Sequence, residues 1–410
     1  MRCTVLKCAV SAVALTTFAG AALAEDAKLP RSMVWSAYDL GSSGYAEASG
    51  IANALQKNFT TRIRIVPAGT SIGRMLPMAT GKVKYGFLAN EAYFAAEGTF
   101  DFADLAWGPQ DIRIALGRPA TVGFATAGDI GVKSIADLKG KRIGFVKGNP
   151  SVNIKNDGYL AFGGLTRKDI QEVWFGSYSA MKDAVLANQL DAFGSVTTSS
   201  NVRQIEASPR GLVWPSFPPD NKKGWEAMQN IISFVAPTKE TIGAALSEEN
   251  PSWLVGYRYP MITTYATTSE EEVYNLVKAI DASFDDFKNT TGSSKNWEIM
   301  RSILPPADAP WHDGAIKYAK EKGYWTDEAQ AWHDKRLARL NAVRELWEET
   351  TAKFDEWRAE ERQKGNKVNA KEAWPEYWDK ARAEKLKKFG YCCQSVTACS
   401  AAAVIPPRPP

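Results

Sequence analysis

A chain of 410 residues, 45% hydrophobic and 23% charged, is long enough to bury a full core and to form two lobes. Its formal net charge is only +4, and two of those charges, Arg2 and Lys7, sit at the extreme N-terminus, so composition excludes a case for nucleic acid or an anionic membrane as partner. The five cysteines fall at Cys3, Cys8, Cys392, Cys393 and Cys399, which excludes a disulfide-stapled main fold.

In chain order, Arg2 and Lys7 precede an apolar run from Cys8 to Ala22, followed by Ala22-Leu23-Ala24 and the charged Glu25. This is the pattern of a secretory signal peptide, residues 1–24, removed after Ala24. The run falls short of the roughly 20 residues of a membrane span. The expected location is the periplasm. Met33-Val34-Trp35 then reads as a strand ending in Gly41-Ser42-Ser43-Gly44, with a helix carrying Ile51, Ala52 and Leu55 on one face. Arg62–Val66 alternates as a strand and breaks at Pro67-Ala68-Gly69-Thr70-Ser71, before a helix with Ile72, Met75 and Leu76. Tyr85–Leu88 is a short strand, and Asn90 is placed to cap the next helix.

The βα pattern restarts at Thr121–Ala125. A short helix at Ser134–Leu138, a strand at Arg142–Val146 and a Gly148-Asn149-Pro150-Ser151 loop follow. Next come a helix over 156–163, a strand over 172–175, a helix over 179–187 and a strand tip at Leu190–Gly194, just before Ser195. Ile231–Val235 is read as the strand that carries the chain back. Strands alternating with helices imply parallel βαβ units. Two α/β lobes joined by two crossings make a hinged clamp, the crossings expected near 118–122 and 230–236. The expected lobes are 30–118 plus 233–327, and 119–232. From Thr268 the chain reads as helical. Over 328–390 it is dense in charge and Trp, with an apolar stripe of Leu340, Val343, Trp347, Phe354 and Trp357. That extension is expected to pack on its own lobe rather than self-associate, giving a monomer. Residues 391–410, ending Pro-Pro-Arg-Pro-Pro, are expected to be disordered.

The catalytic inventory is thin. The two histidines, His312 and His333, belong to no H-E-x-x-H pattern, and no G-x-S-x-G or P-loop occurs. We therefore expect no enzyme, no cofactor and no metal. The Gly/Ser/Thr loops suit an anion instead. Glycine admits close backbone approach, helix N-termini point N–H groups outward, and hydroxyls add donors. Ligands in open α/β sheets sit at the carboxyl ends of strands, where these loops lie. The candidate ligand-binding residues are Ser42, Ser43, Tyr45, Gly69, Thr70, Ser71, Asn90, Glu91, Ser151 and Ser195. Ser and Thr at such positions are also common N-caps. Glu91 is a candidate partner for a ligand ammonium, although a carboxylate at a helix start also compensates the dipole.

Five segments in order carry a family resemblance. They are Gly41-Ser42-Ser43-Gly44-Tyr45 with Gly50-Ile51-Ala52; Val66–Ser71; Gly86–Glu91; Asp137-Leu138-Lys139-Gly140-Lys141-Arg142-Ile143; and His312–Tyr318 with Glu321-Lys322-Gly323. Over roughly residues 32–325 the chain resembles the TAXI type (TRAP-associated extracytoplasmic immunogenic protein) of TRAP-transporter substrate-binding subunits. The resemblance implies a two-lobed, type II-like periplasmic binding protein. It would capture a small organic acid, a C4–C5 carboxylate or a glutamate-like ligand, for a sodium-coupled TRAP membrane permease. The departures are Ala46-Glu47-Ala48, Ala89, and Asn149-Pro150-Ser151-Val152, where Pro150 removes a backbone donor. Two other expectations compete: a secreted enzyme acting on a small acid, and the ligand-binding input of a sensor system.

Overall fold

The computed structural model describes residues 27–386. The expected signal peptide, the terminal segment 391–410 and all five cysteines lie outside the described residues. The chain opens βαβαβα: β1 (Ser32–Tyr38), α1 (Ser43–Asn58), β2 (Arg62–Ala68), α2 (Ser71–Ala79), β3 (Tyr85–Leu88) and α3 (Glu91–Glu97). A long strand, β4 (Ile112–Ala127), leads into β5 (Arg142–Val146), α4 (Pro150–Phe162), β6 (Gln171–Phe175), α5 (Ala180–Leu186), β7 (Ala192–Val196) and α6 (Ser200–Glu206). A two-residue β8 (Leu212–Val213), α7 (Lys222–Gln229) and β9 (Ala236–Glu240) complete that half. A second long strand, β10 (Ser252–Tyr265), returns the chain to α8 (Glu270–Ala282), the single-turn α9 (Phe284–Phe287) and α10 (Ile299–Ser302), and α11 (Asp313–Glu321). Two helices follow, α12 (Asp327–Gln363) and α13 (Ala370–Leu386).

The strands run in the order β2-β1-β3-β10-β4-β7-β5-β6, with β9 added to β10 and β8 to β4. The first lobe is the parallel set β2-β1-β3, registered Ser32↔Arg62 through Tyr38↔Ala68, with β10 antiparallel to β3 at Met261–Thr263. In the second lobe β5 and β6 are parallel, and β7 pairs antiparallel with β4 over Val122–Thr126. The long strands β4 and β10 belong to both halves. They pair with each other from Ile112↔Tyr265 to Val122↔Val255, with a register shift between Arg258 and Met261. The result is a two-lobed α/β fold whose lobes share two through-strands, with helices on the faces.

The sheet fixes where the chain crosses. The outgoing crossing lies within β4 around Gly117–Val122, since pairing with β7 begins at Val122. Residues 231–235, expected to be the returning strand, form turns instead. The next strand, β9, pairs with β10 at Ser252–Gly256, still on the second-lobe side. The return is therefore the middle of β10, Tyr257–Pro260. The reason is local: β10 carries Gly256, Arg258 and Pro260 between its apolar residues, which conceals a strand, whereas the apolar run at 231–235 ends a helix and packs Ile232 and Val235 into the core. At the outgoing crossing Arg118 is fully buried and grips the Glu47 carboxylate with Nε and Nη2, at 2.5 and 2.7 Å. The indole of Trp297 donates to the same carboxylate at 2.7 Å.

Two further differences follow from caps. α4 starts at Pro150 rather than at 156, because Asn149 caps it by accepting from the Val152 N–H, and proline suits the first helical position. The helical extension expected over 328–390 is two helices, turned back at Gly365, which adopts φ +84°, a left-handed conformation glycine takes without penalty. α12 and α13 pack on the first lobe through Val343, Leu346, Phe354, Trp374, Trp378 and Leu386, against Ala103. The Trp374 and Trp378 indoles donate to the Ala103 and Gly98 carbonyls, each at 2.7 Å. Among the described residues no helix is long and apolar enough to cross a membrane.

Candidate ligand-binding site

The carboxyl ends of β1, β2, β3, β5, β6 and β7 face one another across the cleft between the lobes, the place where open α/β sheets bind ligands. The lobes meet there. The Gly69 carbonyl accepts from the Tyr178 N–H at 3.1 Å and from Asn149 Nδ2 at 3.3 Å. Ser71 Oγ donates to Asn149 Oδ1 at 2.8 Å, and the Ile72 N–H donates to the Gly148 carbonyl. On the other flank, the Gly41 carbonyl accepts from Ser199 Oγ and Ser200 Oγ at 3.1 and 2.8 Å, and Ser179 Oγ donates to the Leu40 carbonyl at 2.8 Å. Two glycines make this approach feasible. Gly41 has φ +83°, and a Cβ at Gly69 would lie 2.6 Å from Ser177 Cβ.

Behind this mouth lies a cavity of about 30 Å³, room for a water or two. Five tyrosines from both lobes surround it: Tyr38, Tyr159, Tyr178, Tyr257 and Tyr259. Val122, Val152, Gly194, Ser195 and Val196 complete the wall, and Lys155 is the only charged residue in it. Tyr38 stands edge-on to Tyr259, with ring centroids 5.2 Å apart. Burial pushes all five phenols well above their ordinary range, so each hydroxyl keeps its proton. Tyr178 and Ser195 hydroxyls share a hydrogen bond at 2.7 Å. The Tyr159 hydroxyl is buried with no partner.

Lys155 Nζ donates to the Tyr257 hydroxyl at 2.8 Å and reaches Ser151 Oγ at 3.5 Å. Burial brings its pKa down to about 7, partly opposed by the charges of Glu91 and Asp308. Asp308 is buried too, and burial pushes its pKa up to about 7 against a hydrogen bond from Asn90 and the charge of Arg336. Glu91 behaves differently. Burial works against its charge, but the Arg74 guanidinium beside it holds the carboxyl below its ordinary value. Arg74 Nε donates to Glu91 Oε1 at 2.7 Å, and the Tyr38 hydroxyl donates to Oε2 at 3.3 Å. The guanidinium also lies over the Tyr38 ring, 3.4 Å from its centroid.

The ten residues chosen from sequence distribute as follows. Ser195 lines the cavity, and Ser151 touches it through Tyr38 and Lys155. Glu91 and Asn90 form a shell behind it; Asn90 Nδ2 donates to Asp308 Oδ2 at 2.9 Å. Gly69 and Ser71 belong to the mouth. Ser42 and Thr70 are N-caps, accepting from the Tyr45 and Gly73 N–H groups at 3.1 and 2.9 Å. Tyr45 is half-buried on α1, and Ser43 Oγ is buried without a partner. Glu91, weighed as a candidate partner for a ligand ammonium against a helix-start role, starts α3 and is engaged by Arg74 and Tyr38. Sequence reasoning missed Lys155, Arg74, Asp308 and the tyrosines. The nearest signal was the pair Tyr257 and Tyr259, two apart on one strand face.

Two lobes on shared through-strands, with a cavity between them at the strand ends, define the architecture of a two-lobed binding protein. Residues 40–323 match the NMT1-like family model, and the chain belongs to the NMT1-like family. Solved structures similar to it include the alkanesulfonate-binding protein SsuA from Xanthomonas axonopodis pv. citri bound to MOPS, at 16% identity over 72% of this chain and 92% of that one, TM-score 0.38. PhnD1 from Prochlorococcus marinus (MIT 9301) in complex with methylphosphonate is similar at 11% identity over 72% of this chain and 99% of that one, TM-score 0.41. An ancestral arginine-binding protein bound to arginine is similar at 12% identity over 64% and 98%, TM-score 0.38.

Proposed function

We propose that this protein is an extracytoplasmic solute-binding protein that captures a small carboxylate between its lobes and delivers it to a membrane permease. The observation that carries this reading is the interlobe cavity with one buried lysine among five protonated tyrosines; with room as it stands for a water or two, it would take an acid only as the lobes part. A lone ammonium in an apolar wall is a receptor for an anion, because each compensates the other's burial. The order of the loop motifs supports the finer assignment, a TAXI-type subunit working with a TRAP permease in the periplasm after cleavage behind Ala24. Binding without turnover is supported by the poverty of reactive pairs at the cavity. Ser151 and Lys155, at 3.5 Å, stand farther apart than an engaged nucleophile and base.

Titration of the purified protein with organic acids by calorimetry tests the reading. Saturable binding of a carboxylate, recovered chemically unchanged, is the expected result. Conversion of the bound acid, or no binding of any acid in the panel, would sink it.

A further inference from the structure

We infer that the cleft selects acids with a single negative charge on an apolar body and turns away dicarboxylates and amino acids. This rests on the solute-binding reading above and narrows it. The first ground is the charge inventory around the cavity. Lys155 is the one charged side chain in the wall, and among the described residues no carboxylate forms an ion pair with it. Its ammonium has three donors. Two point to Tyr257 and Ser151, which leaves one for a ligand oxygen. Arg74, the next cation, does not line the cavity; it is fully buried and paired with Glu91, with three of its five donors spent on Glu91, the Ala68 carbonyl and Ser71 Oγ. A second ligand carboxylate would enter without a cation to meet it.

The same inventory excludes an ammonium on the ligand. Glu91 is closed off by Arg74 and Tyr38. Asp308 lies outside the wall behind Asn90. No wall group is an anion. The apolar faces are Val122, Val152 and Val196 together with the phenol rings, which favour hydrocarbon. The buried Tyr159 hydroxyl, which has no protein partner, supplies a second donor for the same carboxylate that Lys155 holds. A buried polar atom left unpaired is costly, and a ligand oxygen reaching Tyr159 would replace the water that the cavity has room for.

The test uses three probes on a four-carbon chain that differ in the group at the far end, apolar, anionic or cationic: butyrate, succinate and 4-aminobutyrate. They are titrated into the purified full chain by calorimetry, with propionate and benzoate as size controls. Butyrate should bind at least about tenfold tighter than the other two four-carbon probes, since an uncompensated buried charge is worth more than one decade. Lys155→Met should lose butyrate binding while keeping its circular dichroism spectrum. Tyr159→Phe should weaken butyrate by roughly tenfold with an unchanged melting temperature, because no protein hydrogen bond is broken. If succinate or 4-aminobutyrate matches or beats butyrate, and binding still depends on Lys155, the inference falls while the solute-binding reading stands. If no probe binds, both fall.

Discussion

Replacing Glu97 by Gln should loosen the C-terminal helices from the first lobe. Glu97 ends α3 with a side chain only 2% exposed. It faces three arginines of the extension. Arg336 Nη1 donates to it at 2.9 Å, Arg339 donates through Nε and Nη2 at 2.7 and 2.8 Å, and Arg382 also contacts it. Burial alone would raise this carboxyl, yet the three cations bring it from 4.5 down to about 2. At about 1.4 kcal/mol per pKa unit, that gap corresponds to about 3 kcal/mol of stability. Removing one partner of a buried ion pair costs about 3–5 kcal/mol, so the two routes agree. With an unfolding entropy of about 2.1 cal/mol/K per residue, a loss of 3 kcal/mol lowers the melting temperature by about 4 °C. The sign of the pH effect is fixed. A depressed carboxyl stabilises fully above its unfolded pKa and loses that contribution as pH falls from 4.5 toward 2. Thermal melts of both proteins across that window therefore give the readout, the difference between them shrinking as pH drops. A variant melting within 1 °C of the parent at neutral pH, with the same acid slope, would refute the role assigned to Glu97.

Gly69→Ala should wedge the mouth, because the new Cβ would fall 2.6 Å from Ser177 Cβ on the opposite lobe. X-ray scattering should then report a larger radius of gyration and calorimetry a weaker butyrate affinity; scattering identical to the parent would remove Gly69 from the closure contacts. Thr70→Ala should cost about 1 kcal/mol of stability through loss of the α2 cap, with affinity unchanged, whereas an affinity loss without destabilisation would return Thr70 to the ligand site. Butyrate affinity should be highest below about pH 7 and fall by up to about tenfold per unit above it. Over that range Lys155, brought down to about 7, gives up its proton, while Asp308, pushed up to about 7, becomes an anion. Isothermal titrations from about pH 6 to 8.5 check this, and affinity that stays flat or rises with pH would contradict Lys155 as the anion receptor.

The alternation of βα units was legible because each rests on short-range patterning. Arg62–Val66 alternates, and Ser42 and Thr70 sit where helix caps belong. The through-strands were not legible, because their polar and conformationally special residues are satisfied only by distant groups. Gly117-Arg118-Pro119 interrupts the apolar pattern of β4, and only the remote Glu47 and Trp297 make Arg118 a core residue. The hydroxyl-bearing loops were visible for the same local reason as the caps, so they drew the candidate site toward the mouth. The cavity wall has no local signature. Tyr38 ends β1, Lys155 and Tyr159 lie on α4, Tyr178 precedes α5, and Tyr257 and Tyr259 belong to β10. A lysine within a helix reads as a solvated face until tertiary packing covers it.

The same division extends to the chemistry. Local sequence specifies how helix ends and turns are satisfied, which is why Ser42 and Thr70 are spent within their own segments. Groups available to a ligand are those that local structure leaves unspent. At the cavity wall they are the third donor of Lys155 and the hydroxyl of Tyr159, one turn apart on α4. The sole charged group of the wall lies on α4 in the second lobe, while Tyr38 comes from the first and Tyr257 and Tyr259 from the strand shared by both; on the proposed reading, anion recognition would rest with the second lobe. A ligand held by Lys155 would therefore meet, in Tyr38, a side chain of the opposite lobe, which would couple capture to closure through residues that no single segment contains.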